Sequence, residues 1–348
     1  MKDACRSARA RLNIFLLAAA FLAIGSAPSA SAARMPRPAS HSDSPAAVHT
    51  AQQQFDSGNY SAAIEALRAA AGQNPSNAEI YYWLGRVYYE MHDQDNAVAN
   101  AEKSVSLDPQ NSLYHQWLGR AYGDKADRDR SFALAKKVKK EFQQAVTLDP
   151  SNIGARRDLQ QYCTDAPWIV GGNKDEALDQ VNAIAALDPV QGALARAAYD
   201  RNVLKKPDLA EAEYRKALSA NPKDPDAYFE VADFYISQGK APELQSTIQG
   251  AAQLNPSQPR LSYYRGVADA LANTDLGGAE QNLKAYIAAT PDRSDWPSHA
   301  SARLWLGKLY EMQNKPGPAA EQYRAALQLN PKLKEASQRL QKLEQGPH

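Results

Sequence analysis

Residues 78–111 read AEIYYWLGRVYYEMHDQDNAVANAEKSVSLDPQN. Counting Ala78 as position 1, Tyr81, Leu84, Gly85 and Tyr88 fall at positions 4, 7, 8 and 11. Steps of three and four gather them on one face of a helix. Ala97, Ala101 and Ser104, at positions 20, 24 and 27, make a second stripe of the same kind. Gly85 and Ala97 have almost no side chain, so two helix backbones can approach closely there. Pro109 has no N–H and a fixed φ, which stops the second helix and opens the next unit. One hairpin cannot cover its own apolar stripe, so neighbours must stack against it.

Near-copies of the stretch run outward in both directions. Before it, Gly58, Tyr60, Ala63, Leu67, Ala70 and Pro75 match its second half, behind a polar, alanine-rich helix over 46–55 that suits the end of an array. After it, Leu118, Gly119 and Tyr122 open a third unit that Ala145, Leu148, Asp149 and Pro150 close. That unit, 112–152, has 41 residues, seven more than 34, or about two turns of helix, so its stripes stay in phase. A fourth unit over 153–191 keeps Leu159, Ala177, Val181, Ile184, Leu187 and Pro189. The fifth, to about Asp224, keeps Ala210, Tyr214, Ala217 and Pro222; the sixth, 225–258, keeps Val231, Ala232, Tyr235 and Pro256. The seventh keeps Gly266, Ala279, Leu283 and Pro291. A loop with Trp296 and Pro297 leads to the eighth, 300–333, where Leu306, Gly307, Tyr310, Ala319, Tyr323, Ala326 and Pro331 recover the pattern. A charged helix over 334–344, with Leu340 and Leu343 on one side, reads as a cap.

A 34-residue period with this punctuation resembles the tetratricopeptide repeat, W-x2-L-G-x2-Y followed by a small Ala, a large residue and Pro. The resemblance covers 46–344. It implies an all-α fold: a right-handed superhelical solenoid of about eight helical hairpins plus a C-terminal capping helix. One departure stands out. The pattern's Trp at position 4 is replaced by Tyr81, His115 and Arg303, and a Trp stands at position 6 instead, as Trp83, Trp117 and Trp305.

The N-terminus is of another kind. Lys2, Arg6, Arg9 and Arg11 precede a thirteen-residue apolar run over 12–24, too short for the ~20 residues that span a bilayer. Ala30-Ser31-Ala32 then supplies an A-x-A site. Residues 1–32 read as a secretory signal peptide cut after Ala32, which places the mature chain in the periplasm of a Gram-negative bacterium or outside the cell. Cleavage would take the net charge from +1 to about −2. Residues 33–45, rich in Pro, Ser and Ala without apolar period, read as a disordered linker. The repeats then divide into subarrays at 46–191 and 192–348, the weak fourth and fifth units forming a bend. Cys163 is the only cysteine of the mature chain, so no internal disulfide is possible, and it reads as a buried filler or, alternatively, as a reactive or intermolecular thiol.

In the tetratricopeptide family the first helix of each hairpin lines the concave surface. Positions 5, 6 and 9 lie about 100–200° round from position 4. These positions and their neighbours give Tyr82, Trp83, Arg86 and Tyr89 in the second unit, Gln116, Trp117 and Arg120 in the third, and Leu304, Trp305 and Lys308 in the eighth. Trp, Tyr and Arg are common interface anchors. The set is therefore either a groove for a peptide or protein partner, or packing between hairpins. The Lys and Asn of the family's carboxylate clamp are replaced by Tyr82, Arg86, Leu113 and Trp117. Lys136, Lys137, Lys139 and Lys140 form a solvated face or an anionic-lipid site. The stretch from Trp168 to Gly172 is a wedge within the fourth unit or an exposed docking knob.

The 40 Lys+Arg against 39 Asp+Glu give no strong overall field for nucleic acid or membrane. No metal, nucleotide or nucleophile motif occurs, so neither catalysis nor a cofactor is expected. The reading is a non-catalytic interaction scaffold with a protein or peptide partner in envelope assembly or secretion. Its alternative is a structural protein that associates with copies of itself. No membrane span is expected after signal cleavage.

Overall fold

The computed structural model describes residues 46–345. The expected signal peptide and linker lie outside the described residues. Every regular element among the described residues is helical. The chain divides into two compact units whose described parts are 46–217 and 218–345. The break falls between Ala217 and Leu218, whereas the repeat pattern suggested one after Gln191.

The first unit holds α1 (Ala46–Asp56), α2 (Tyr60–Gln73), α3 (Ala78–Glu90), α4 (Gln94–Leu107), α5 (Ser112–Asp129), α6 (Phe132–Leu148), α7 (Ile153–Asp165), α8 (Lys174–Leu187), α9 (Pro189–Asn202) and most of α10 (Pro207–Ser219). Successive helices pair as α1–α2, α3–α4, α5–α6 and α7–α8. The hairpins follow from local chemistry. Pro75, Pro109 and Pro150 are each followed two residues on by an asparagine that caps the next first helix. Asn77 Oδ1 accepts from Glu79 N–H at 2.9 Å, Asn111 from Leu113 N–H at 3.1 Å and Asn152 from Ala155 N–H at 2.9 Å. Between the helices of the second hairpin the small residues meet as expected. A Cβ on Gly85 would sit 3.2 Å from the Ala101 backbone nitrogen and 3.4 Å from the Ala97 carbonyl oxygen.

The extra length of the third hairpin lies in both helices, since α5 has 18 residues and α6 has 17, against 13 and 14 in α3 and α4. The fourth and fifth units meet differently from the pattern. Pro189 does not precede a short linker; it is the first residue of α9, which begins three residues before the expected start at Gly192. Asp188 alone joins α8 to α9. Its backbone N–H bonds Ile184 O at 2.9 Å, and its side chain accepts from Val190 N–H and Gln191 N–H at 2.8 and 2.9 Å. The junction is this tight because Gly192 lets the helices close: a Cβ there would lie 2.4 Å from Ala185 Cα.

The first helices α3, α5, α7 and α9 run parallel. Tyr82 and Tyr89 of α3 meet Tyr114 and Asp124 of α5, Gln116 and Arg120 of α5 meet Asn152, the cap of α7, and Asp158 within α7, and Arg157 and Gln160 of α7 meet Gln191 and Ala195 of α9. Partners advance together along both members of each pair.

The second unit holds α11 (Pro225–Gln238), α12 (Ala241–Leu254), α13 (Arg260–Ala272), α14 (Leu276–Ala289), α15 (His299–Met312), α16 (Pro316–Leu329) and α17 (Lys334–Gln345). It pairs α11–α12, α13–α14 and α15–α16, and α17 packs on α16. Leu340 and Leu343 are partly buried against the last hairpin, the position expected of the capping helix.

Candidate partner-binding surface

The residues expected to line a groove are brought together in the first unit, but most face the next hairpin. Tyr82, Tyr89, Gln116 and Trp117 are buried. The Tyr82 ring lies 5.2 Å from Tyr114 and 6.3 Å from Trp117, and Tyr89 meets Trp117 edge-on at 5.6 Å. These aromatic pairs weld α3 to α5. The cause is helix α3's surroundings: α1, α2, α4 and α5 all pack against it, so little of its circumference is left. Trp83 turns the other way, 5.7 Å from Phe55 of α1, and is half-buried.

The two arginines, equivalent by position, have different roles. Arg120 is a structural tie. Its Nε donates to Asp158 Oδ2 at 2.7 Å and its terminal nitrogen to Asp158 Oδ1 at 3.1 Å, a bidentate pair across adjacent hairpins, and Gln116 adds a third bond to Asp158 at 2.7 Å. Burial alone would lower the Arg120 guanidinium's pKa; the Asp158 carboxylate reverses that and holds it above its ordinary value.

Arg86 sits in an aromatic cage instead. Its guanidinium carbon is 4.5 Å from the centre of the Trp117 ring, 4.6 Å from Trp83, 4.9 Å from Phe55 and 5.8 Å from Tyr82. Its hydrogen bond, to the Tyr82 hydroxyl, is long at 3.4 Å. Among the described residues no carboxylate pairs with it, and its buried Nε has no hydrogen-bond partner. Burial raises the Tyr82 hydroxyl above its usual pKa, against the pull of Arg86. Arg86 is thus a half-exposed cation, oriented by rings and lacking an anion.

In the second unit Leu304 and Trp305 are buried, and Lys308 lies 3.8 Å from the Trp305 ring centre while pairing with Glu335 of α17 at 3.0 Å. The capping helix covers this part of the expected set.

The remaining features divide between the readings left open. Lys136, Lys137 and Lys140 are exposed, whereas Lys139 donates to Gly171 O at 2.8 Å and to Glu176 at 2.6 Å. Trp168–Val170 is a single tight helical turn in which Val170 is buried as a wedge while Trp168 and Ile169 are exposed. Cys163 is buried, and burial, then the Glu176 charge, push its thiol up to about 12.

Sequence reasoning missed Phe55, Asp124 and Asp158. Asp158 lies 38 residues after Arg120, and Asp124 lies 35 after Tyr89. A search for complementary groups about one repeat apart would have found both.

Comparison with known proteins agrees with this geometry. Tetratricopeptide-repeat family models match residues 51–92, 78–111, 213–245 and 264–333. The chain is a tetratricopeptide-repeat protein. Among solved structures it is similar to yeast Tom70, with a TM-score of 0.60 and 14% identity over 90% of this chain and 65% of that one. It is also similar to a chain of the APC/C hetero-tetramer Cut9-Hcn1, with a TM-score of 0.50 and 14% identity over 85% of this chain and 55% of that one. A tetratricopeptide repeat protein from Parabacteroides merdae aligns over 86% of this chain and 98% of its own, with a TM-score of 0.47 and 15% identity. The likeness to the first two is one of fold. No match is found among curated protein sequences.

Proposed function

We propose that this protein is a non-catalytic interaction scaffold, exported to the periplasm, whose first helices hold an acidic segment of a protein partner at Arg86. The observation that carries the reading is the unanswered guanidinium. Phe55, Trp83 and Trp117 fix its plane, and its polar neighbour Tyr82 is neutral. A carboxylate arriving there meets a preorganised donor fork, and the rings lower the dielectric around the new pair. Arg120 is already satisfied by Asp158 and contributes position rather than binding. The basic, apolar and A-x-A segments of 1–32 support export, and envelope assembly or secretion are the settings in which such a scaffold would find its partner.

The binding claim is tested on an array of acidic and neutral peptides, probed with the chain from Ala33 onward and with Arg86→Gln. Acidic peptides should be retained selectively by the parent, and at least tenfold less by the variant. Equal retention of acidic and neutral peptides refutes the site. The export claim is tested by fractionating a Gram-negative host that expresses the full sequence. A shortened form beginning at Ala33 should appear in the periplasmic fraction; full-length protein confined to the cytosol refutes it.

A further inference from the structure

In the first unit the large apolar side chains left exposed are concentrated along one edge. Because α3, α5, α7 and α9 are parallel, the turns that follow them share that edge. Met91, Phe132, Trp168, Ile169, Leu204 and Leu209 stand in or beside those four turns, exposed by 44, 43, 84, 55, 39 and 43%. In the same unit Leu187 is the one residue of this kind that lies elsewhere among those described. Scattered exposed leucines need no explanation, but a row does.

The tip of the row is held rigidly. The Tyr162 hydroxyl lies 2.7 Å from both the Ala135 and the Val170 carbonyl oxygens. Lys139 donates to Gly171 O, Gly171 N–H bonds Trp168 O at 3.0 Å, and Asn173 N–H bonds Cys163 O at 2.9 Å. The exposed indole is therefore presented by a fixed loop. Charge follows the same edge. Arg130, Lys136, Lys174, Lys205 and Lys206 are exposed there, against the exposed Asp165, Asp175 and Asp208, while Lys125 and Arg128 are balanced by Asp95 and Asp129, with which they form a cluster of ion pairs.

We propose that this turn edge docks on an anionic lipid surface, with Trp168 and Ile169 entering the headgroup region and the lysines and Arg130 lying over it. Single apolar tips on successive turns, with neighbouring helices about 8–10 Å apart, offer no groove to a peptide. They suit a broad, deformable interface, where an indole buries its rings and keeps its N–H wet. Flanking cations add attraction to acidic headgroups and none to neutral ones. The edge does not include Arg86, so this inference stands or falls apart from the peptide site.

The test is flotation of the chain from Ala33 onward, which keeps every described helix and omits the apolar leader. It is mixed with vesicles of equal phosphatidylglycerol and phosphatidylcholine, or of phosphatidylcholine alone, at low salt. The parent should partition at least tenfold better to the anionic vesicles. Trp168→Ala with Ile169→Ala should lose about tenfold without a change in melting temperature, since both side chains are exposed. Lys205→Glu with Lys206→Glu should reduce the preference for phosphatidylglycerol at unchanged fold. Failure of the parent to float with anionic vesicles overturns the proposal, as does flotation of the Trp168/Ile169 variant equal to the parent's. A loss of self-association on ultracentrifugation in that variant, with flotation intact, would assign the edge to a second copy of the chain.

Discussion

Replacing Asp124 by asparagine separates one partly buried carboxyl from the rest of the array. Asp124 lies on α5, its Oδ1 3.5 Å from the Tyr89 hydroxyl of α3. Burial pushes its carboxyl up to about 8, with the charges of Asp127 and Glu90 acting in the same direction and the Tyr89 hydrogen bond opposing them. In the unfolded chain it titrates at its ordinary value near ~4. At intermediate pH the unfolded chain has therefore released a proton that the folded chain keeps. Folding stability then falls as pH rises, by about 1.4 kcal/mol per unit, over the window between those two values. The contribution is complete below about pH 4 and lost by about pH 8. From pH 5 to pH 7 the loss is ~2.7 kcal/mol. Asparagine has nearly the same shape, can still accept from Tyr89, and is neutral throughout, so it lacks this slope. His115 also titrates; burial lowers it, but its 2.6 Å contact with Glu141 outweighs that and raises it. It is present in both proteins and cancels in the difference. Urea unfolding of parent and Asp124→Asn at pH 5, 6, 7 and 8 measures the effect. The stability gained by the variant should grow by about 2–3 kcal/mol between pH 5 and 7 and level off above about pH 8. A difference constant within about 0.5 kcal/mol over that range would refute the assignment of a partly buried, proton-retaining carboxyl.

Three further outcomes follow from the packing. Asp158→Ala leaves the Arg120 guanidinium buried without its bidentate partner and should cost about 3 kcal/mol in urea unfolding; adding Arg120→Met should return part of that loss. Gly307→Ala places a Cβ 2.3 Å from the Tyr323 ring and should cost about 1–3 kcal/mol, whereas Gly72→Ala, with nothing within 4 Å, should be neutral or slightly stabilising in the same thermal melts. Cys163, buried and with its thiol pushed up to about 12, should resist a bulky maleimide at pH 7.5 in the native chain and react fully in urea.

What the sequence made legible is what happens inside a hairpin. Leu84, Gly85, Tyr88, Ala97, Ala101 and Ser104 are all buried, because contacts between two helices joined by a short turn obey the three-and-four periodicity of each helix. The asparagines two residues after Pro75, Pro109 and Pro150 were not read as caps; that role emerges only with the hydrogen bonds drawn. The candidate site was less legible. Helical periodicity separates Tyr82, Trp83 and Arg86 from the hairpin's own core but says nothing of the next hairpin, which covers Tyr82 and leaves Trp83 and Arg86 half-exposed. Contacts between first helices obey a second period, the repeat length itself. Tyr89 reaches Asp124 at a separation of 35, Arg157 reaches Gln191 at 34, and in the second unit Arg260 reaches Asp226 at 34. Where the third hairpin is longer, the separation stretches to 38 for Arg120 and Asp158, and the register is hidden from any fixed 34-residue frame. An opposite charge one repeat away is thus the signal that distinguishes the two arginines: Arg120 has such a partner and is a tie, while Arg86 has Arg120 itself one repeat ahead. Trp117 stands to Arg86 where Asp158 stands to Arg120, its ring 4.5 Å from the guanidinium, so the described residues bring no carboxylate to the cage.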